Sequence, residues 1–301
     1  MNLSVNIANI TLKNPVMTAS GTFGSGMEYA EFFDLNRLGA VVTKGVSNIP
    51  WEGNPTPRIA ETSSGMLNAV GLQNPGIDKF LERDLPFLEK FDTKKIVNVS
   101  GKTIKDYCVV VEKLYDSSVD LLEINISCPN VKEGGIAFGQ DPMAVEKITK
   151  EIKKHARQPI IMKLSPNVTN ICDMAKAAES GGADALSLIN TLTGMKIDVE
   201  RRNFLLANKT GGLSGPAIKP IAVRMVYQVA HAVRLPIVGM GGISTAEDAL
   251  EFIMAGASAV AIGTANFINP YATLDVIEGI TDYMNRHKIE CINELIGCVG
   301  E

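Results

Sequence analysis

The sequence predicts a (β/α)₈ TIM barrel with a short N-terminal hairpin and long loops over the C-terminal face of the strands. Three observations predict it. Eight short runs rich in Val, Ile and Leu recur along the chain, segments of helical spacing separate most of them, and 301 residues accommodate a barrel of about 250 residues plus insertions. A doubly wound sheet is the structural alternative.

Taken in order, residues 3–12 alternate loosely around Asn9 and predict a small hairpin across one end of the domain. The strand runs follow at Pro15–Ala19, Ala40–Thr43, Lys95–Val99, Leu121–Ile126, Ile160–Leu164, Ala183–Ile189, Ile237–Met240 and Ala259–Ile262. Helical spacing covers 104–115, 142–155, 170–180, 217–233 and 245–255. Ser244-Thr245-Ala246-Glu247 offers an N-cap with acid in the first turn, and Ala255-Gly256-Ala257 a glycine stop. Ser180-Gly181-Gly182-Ala183-Asp184 ends the earlier helix in the same way. Two long insertions, 45–76 and 191–215, are rich in Gly, Pro, Asn and Ser. Loops longer than about 12–15 residues usually have a functional reason, so both are expected over the active face. No linker or low-complexity tract is visible, and residues 1–301 read as one domain.

Composition excludes several functions. With 46% apolar and 21% charged residues and a formal net charge of -4, the chain is an ordinary globular protein without the basic field that nucleic acid requires. The five cysteines (Cys108, Cys128, Cys172, Cys291 and Cys298) are scattered, which argues against a disulfide framework, a metal site and a self-contained iron–sulfur cluster. The N-terminus has no signal-peptide pattern, and no run approaches the roughly 18 apolar residues of a membrane span. A soluble, cytoplasmic chain acting on small molecules is expected.

Catalytic groups of such barrels come from the C-terminal ends of the strands. Here the strand runs end in Ser20, Lys44, Asn98, Asn125 followed by Cys128, Lys163, and Asn190 with Thr191. Each is unremarkable singly, since a lysine or asparagine after a strand is usually a solvated turn residue. Converging on one mouth, two ammonium groups and three amides suit a planar anionic ligand with several carbonyls. Gly239-Met240-Gly241-Gly242-Ile243-Ser244 and Ile262-Gly263-Thr264-Ala265 follow the last two strands, where this fold usually binds phosphate. A Rossmann reading fails, because no GxGxxG follows a first strand with an acid roughly 20 positions on.

Phosphate plus planar ligand leaves two reaction classes. One is a flavin mononucleotide enzyme with Lys163 near the isoalloxazine edge; the other is an aldolase-like enzyme with Lys163 or Lys44 as a Schiff base on a phosphorylated sugar. Cys128, on the stretch Asn125-Ile126-Ser127-Cys128-Pro129-Asn130, favours the first, because a thiol above a flavin can act as a general base on a carbon acid. An unperturbed thiol titrates near 8.5, so activity should rise toward alkaline pH unless nearby cations lower that value.

These residues carry a resemblance to the dihydroorotate dehydrogenases, specifically the flavin-containing catalytic subunit of class 1B. It covers nearly the whole chain through Thr18-Ala19-Ser20-Gly21-Thr22-Phe23-Gly24, Thr43-Lys44-Gly45, Asn68-Ala69-Val70-Gly71-Leu72-Gln73-Asn74-Pro75-Gly76, the cysteine stretch, Met162-Lys163-Leu164-Ser165-Pro166-Asn167 and both phosphate loops. The resemblance implies one FMN per chain and Cys128 as the base at C5 of (S)-dihydroorotate, with hydride passing from C6 to the flavin N5 and orotate as product. Lys44, Asn68, Asn125 and Asn190 are implied to hold the substrate with Thr191 beside them, together with Ala69, Val70, Gly71 and Leu72. Ser20, Lys44, Gly45, Asn98, Asn125, Lys163, Ile189, Gly215, Gly241, Gly242, Gly263 and Thr264 are implied to line the flavin. Pro129 through Gly139 is a candidate lid.

Class 1B implies a partner subunit carrying FAD and a [2Fe-2S] cluster that passes electrons to NAD, in a heterotetramer. Cysteine rather than serine as base separates the chain from class 2, and the tip Val131-Lys132-Glu133-Gly134-Gly135 favours 1B over the fumarate-using class 1A. A dihydropyrimidine dehydrogenase-like subunit is the further alternative.

Overall fold

The computed structural model describes residues 1–127, 132–133 and 136–300. Eight parallel strands close into a barrel in chain order: Val16–Thr18, Ala40–Val42, Lys94–Val99, Leu121–Asn125, Ile160–Lys163, Ala185–Leu188, Ile237–Met240 and Ala259–Ile262. The eighth strand pairs back onto the first, Val260 opposite Val16. Side chains of one face fill the barrel and those of the other meet helices, so seven of the eight strands are buried along their whole length. That is why the strand runs are continuously apolar rather than alternating.

The helices form where capping and spacing place them. Thr103 and Thr245 each make a reciprocal capping box, with Asp106 and Asp248 respectively, opening helices Ile104–Lys113 and Ala246–Met254. Asp141 caps Pro142–His155, whose proline occupies a position that needs no donor. Asn170 caps Ile171–Ser180, and Gly182 leaves that helix at φ +90. Lys219–Ala230 and Ala272–His287 complete the outer ring. The expected hairpin pairs Val5–Ile7 with Ile10–Leu12 through Ala8 and Asn9, both at positive φ, as the right-handed twist of a two-residue hairpin requires.

Two units depart from the plain repeat. The first and second strands are joined by 3₁₀ turns, Tyr29–Glu31 and Leu35–Arg37, rather than an α-helix. Before the third strand the helical stretch Ile77–Leu88 switches to π spacing over Phe80–Asp84. Pro86 removes a donor there, so the preceding turn rearranges its hydrogen bonds.

The insertions at 45–76 and 191–215 correct the expectation of loops. They combine into one antiparallel sheet, ordered Leu192–Met195, Thr210–Ser214, Gly65–Asn68, Ile59–Thr62, with its own small core of Ala60, Leu67, Ala69 and Leu206. The two segments meet closely at Gly65, where a Cβ would stand 2.0 Å from the Ser214 carbonyl oxygen. Among the described residues, no helix is long and apolar enough to cross a membrane.

Candidate active site

A cavity of about 370 Å³ opens at the C-terminal ends of the barrel strands, beneath the sheet built by the two insertions. That volume lies in the range of small-molecule sites, roughly 300–1,000 Å³. Strand register decides what faces it. Asn98 lies opposite Glu123, and Lys163 lies between Asn125 on one side and Ser187 on the other. Neighbours in register point the same way, so these polar groups share the barrel interior.

Glu123, 2% exposed, is the hub of that layer. One carboxylate oxygen accepts from Asn98 Nδ2 at 2.6 Å and the other from Ser187 Oγ at 2.8 Å. The Lys163 ammonium, on a residue 4% exposed, stands 3.8 Å from the carboxylate and donates to Ser20 Oγ at 2.9 Å. A buried cation therefore has both a counter-charge and a hydrogen-bond acceptor, which is how burial of charge is tolerated. Lys44 is different. Among the described residues it has no carboxylate partner, and burial, then the neighbouring Lys163 charge, hold its ammonium below the usual lysine range. Two lysines and one glutamate leave the cavity with a net positive charge.

The amides gather on one side. Asn190 Nδ2 donates to Asn125 Oδ1 at 3.4 Å, which also accepts from the Ser127 N–H at 3.3 Å. Asn190 Oδ1 accepts from the Thr191 N–H at 2.7 Å. Asn68 reaches the cavity from the insertion sheet, its Nδ2 donating to the Gly212 carbonyl at 3.4 Å. Ala69, Val70, Gly71 and Leu72 continue along the wall. Asn54 holds that segment by donating from its side chain to the Ala69 carbonyl at 2.9 Å and from its backbone to the Val70 carbonyl at 3.0 Å.

The cavity is also lined by Gly215, Gly241, Gly242, Gly263 and Thr264, and by Ile189. Gly241 and Gly242 have φ +127 and +83, and a Cβ on Gly242 would stand 2.8 Å from the Gly215 carbonyl oxygen. Only glycine permits that approach of the two loops. One detail of the phosphate expectation changes. The N–H groups of Ser244 and Thr245 donate to Asp248 at 2.9 Å each, and Asp248 is paired with Lys219 at 2.7 Å, so this helix start is already capped by an anion. The glycine backbone and Thr264, whose hydroxyl donates to Ser214 Oγ at 2.8 Å, form the rim instead.

A flavin mononucleotide fits these residues. The Asn98 Oδ1 atom is buried without a hydrogen-bond partner among the described residues, at the wall where Gly45 comes close. A fixed cation, a glycine rim and apolar Ile189 supply the rest.

The cavity thus collects Ser20, Lys44, Gly45, Asn68, Asn98, Asn125, Lys163, Ile189, Asn190, Thr191 and the glycine rim, all of which had been expected there. Cys128 and most of the candidate lid lie outside the described residues. Glu123, Ser187, Asn54 and Asn167 were not anticipated. Asn167 bridges two loops, donating to the Thr191 carbonyl at 3.0 Å and accepting from the Thr193 N–H at 2.9 Å. The signal for Glu123 was present, as the single charge in the apolar run Leu121-Leu122-Glu123-Ile124. Trp51 does not line the cavity; Lys102 lies over its ring at 5.1 Å.

Comparison with known proteins agrees with this geometry. The family model described as dihydroorotate dehydrogenase matches residues 2–284. The chain is 73% identical over 299 residues to the dihydroorotate dehydrogenase B (NAD(+)) catalytic subunit of Lachnoclostridium phytofermentans, covering 99% of this chain and 100% of that protein. It is 67% identical over 297 residues to the subunit of the same name from Alkaliphilus metalliredigens, covering 99% and 98%. The corresponding protein of Thermoanaerobacter pseudethanolicus is 59% identical over 297 residues, again covering 99% and 98%. With its barrel, its polar interior and matches over almost its whole length, the chain belongs to the dihydroorotate dehydrogenase family.

Proposed function

We propose that this chain is the FMN-containing catalytic subunit of an NAD-linked dihydroorotate dehydrogenase, oxidising (S)-dihydroorotate to orotate in pyrimidine biosynthesis. The observation that carries the reading is the single cavity in which Lys44, the Lys163–Glu123 pair and the amides of Asn68, Asn125 and Asn190 meet a glycine rim. The names of these relatives support the substrate, the NAD linkage and the existence of further subunits.

Lys44 and the amides of Asn68, Asn125 and Asn190 hold the substrate. The Lys44 charge takes the substrate carboxylate, and the amides, with donors and acceptors fixed by Asn190–Asn125 and Asn190–Thr191 hydrogen bonds, read the pyrimidine carbonyls and N–H groups. Ser20, Gly45, Asn98, Lys163, Ile189, Gly215, Gly241, Gly242, Gly263 and Thr264 hold FMN, which when bound supplies the two-electron acceptor for the hydride. Cys128, by the family resemblance, removes the proton at C5 through its Sγ. The insertion sheet covers the cavity and limits water within it. A partner subunit with FAD and a [2Fe-2S] cluster, in a heterotetramer, then carries electrons to NAD.

Purification of the native protein tests the proposal. It should be yellow, lose its flavin colour with dihydroorotate under anaerobic conditions and not with dihydrouracil, and reduce NAD only when it travels with an iron–sulfur flavoprotein. A colourless protein that binds no FMN on reconstitution refutes the flavin site. Turnover with fumarate and no partner would replace the NAD-linked class.

A further inference from the structure

We propose that Asn167 is a positioning residue, whose side-chain amide ties residues 191–193 of the insertion sheet to the loop after the fifth strand and so fixes the direction of the Asn190 and Asn125 amides. Leu192–Met195 is the outermost strand of the insertion sheet, so one row of its N–H and C=O groups has no strand beside it. Asn167 meets two groups of that row. Its Oδ1 accepts from the Thr193 N–H at 2.9 Å, and its Nδ2 donates to the Thr191 carbonyl at 3.0 Å. Backbone groups two residues apart on a strand face the same way, so one side-chain amide does there what a neighbouring strand would do. Asn167 is itself anchored: its backbone N–H donates to Ser165 Oγ at 3.2 Å, and Ser165 is 4% exposed.

Thr191, held by its carbonyl, donates its own N–H to Asn190 Oδ1 at 2.7 Å. An amide has one acceptor end and one donor end, so Asn190 turns Nδ2 toward Asn125. Asn125 Oδ1 takes that donor at 3.4 Å and also accepts from the Ser127 N–H at 3.3 Å. The Asn190 backbone N–H donates to the Leu164 carbonyl at 3.2 Å, so both ends of the 190–193 segment are fastened to one loop. Asn125 and Asn190 line the cavity, and with both oxygens engaged the capacity the pair has left for a ligand is chiefly N–H. That suits the carbonyl or carboxylate oxygens of a planar ring. Asn167 lines the cavity too, but both ends of its amide are already taken by the backbone. The inference rests on the dihydroorotate reading above, and it gives a role to a residue outside the set expected to hold substrate or FMN.

Two variants separate the clasp from packing. Asn167→Ala removes both hydrogen bonds, whereas Asn167→Asp keeps the volume and the acceptor for Thr193 but sets an oxygen against the Thr191 carbonyl. Orotate affinity of the flavin-loaded proteins is measured by calorimetric titration, and FMN affinity by flavin fluorescence quenching. KM and kcat for dihydroorotate are measured with an artificial electron acceptor, and thermal unfolding is run alongside. Asn167→Ala should weaken orotate and raise KM about 10-fold, the effect of losing a pair of ordinary hydrogen bonds. Its kcat and its FMN affinity should stay within about threefold of wild type. Asn167→Asp should bind orotate no better than Asn167→Ala. A residue that only supports packing would tolerate the aspartate, and its loss would lower FMN and orotate affinity together.

Orotate affinity within about threefold of wild type in either variant overturns the inference. So does a loss of FMN affinity in step with that of orotate, or a fall in kcat with KM unchanged. Failure of both variants to fold overturns it as well, because the clasp is then a folding contact. Wild-type protein that takes up neither FMN nor orotate overturns the proposed function and this inference together, whereas normal binding by wild type with any of the preceding results overturns this inference alone.

Discussion

Lys44→Met tests the electrostatic design of the cavity most directly, because it keeps the aliphatic stem and removes the charge. In the ligand-free protein that charge is unfavourable. Burial and the Lys163 ammonium both hold the Lys44 pKa below its ordinary 10.5. In the window between the folded value and 10.5 the unfolded chain binds more protons than the native one, so wild-type stability rises with pH through that window. Lys44→Met should lack that rise and should be more stable at neutral pH, by roughly 0.5–1 kcal/mol. Binding moves the other way. A hydrogen bond to a charged group contributes about 1.5–3 kcal/mol, or about 10- to 150-fold in Kd. Orotate affinity should fall by that factor while affinity for uracil, which lacks the carboxylate, changes little. Calorimetric titration with both ligands, with thermal unfolding from pH 7 to above 10, measures all three effects. A variant that binds orotate as wild type does, or that is less stable than wild type at neutral pH, refutes the assignment of Lys44 as the unpaired cation of this site.

Three further outcomes are expected. Cys128→Ala should lower dihydroorotate oxidation by about 10²–10⁴-fold with FMN retained, and Cys128→Ser should be slow and require higher pH; near wild-type turnover at saturating substrate would remove the thiol from the mechanism. Gly242→Ala places a Cβ 2.8 Å from the Gly215 carbonyl oxygen and 3.0 Å from the Lys219 nitrogen at φ +83, so stability should drop by about 2–3 kcal/mol and FMN binding should weaken, both read from flavin titration and urea unfolding; unchanged FMN affinity would show that the glycine rim is not a binding surface. Gly65→Ala meets the Ser214 carbonyl oxygen at 2.0 Å and should part the two insertions, raising KM for dihydroorotate more than it lowers kcat. A parallel fall in kcat with KM unchanged would mean that the sheet does not shape the substrate side.

Much of the fold was legible because barrel strands and amphipathic helices are encoded locally. Helix Pro142–His155 matches its expected limits, since an aspartate cap and a helix-opening proline mark its start. The insertion sheet was not legible. Its strands are short, and the pairing that joins the two insertions spans more than a hundred residues: Leu67 pairs with Leu213. Nor was the helix start at Ala246 as open to an anion as the glycines suggested, because Asp248, three residues after the capping Thr245, occupies it.

The sequence by itself determined the barrel, its direction, and the residue types that end each strand, because apolar runs, caps and glycine turns act over a few neighbouring residues. It also named Lys44, Lys163 and the amides as candidates. The tertiary structure decided which of them are charged partners and which stand alone. Glu123 appears in sequence as one acid in an apolar strand, and becomes the counter-charge of Lys163 and the anchor of Asn98 only when the register of neighbouring strands sets them side by side in a solvent-free interior. Hydrogen bonds and Coulomb interactions depend on distance through space and on local dielectric, and neither is a property of position along the chain.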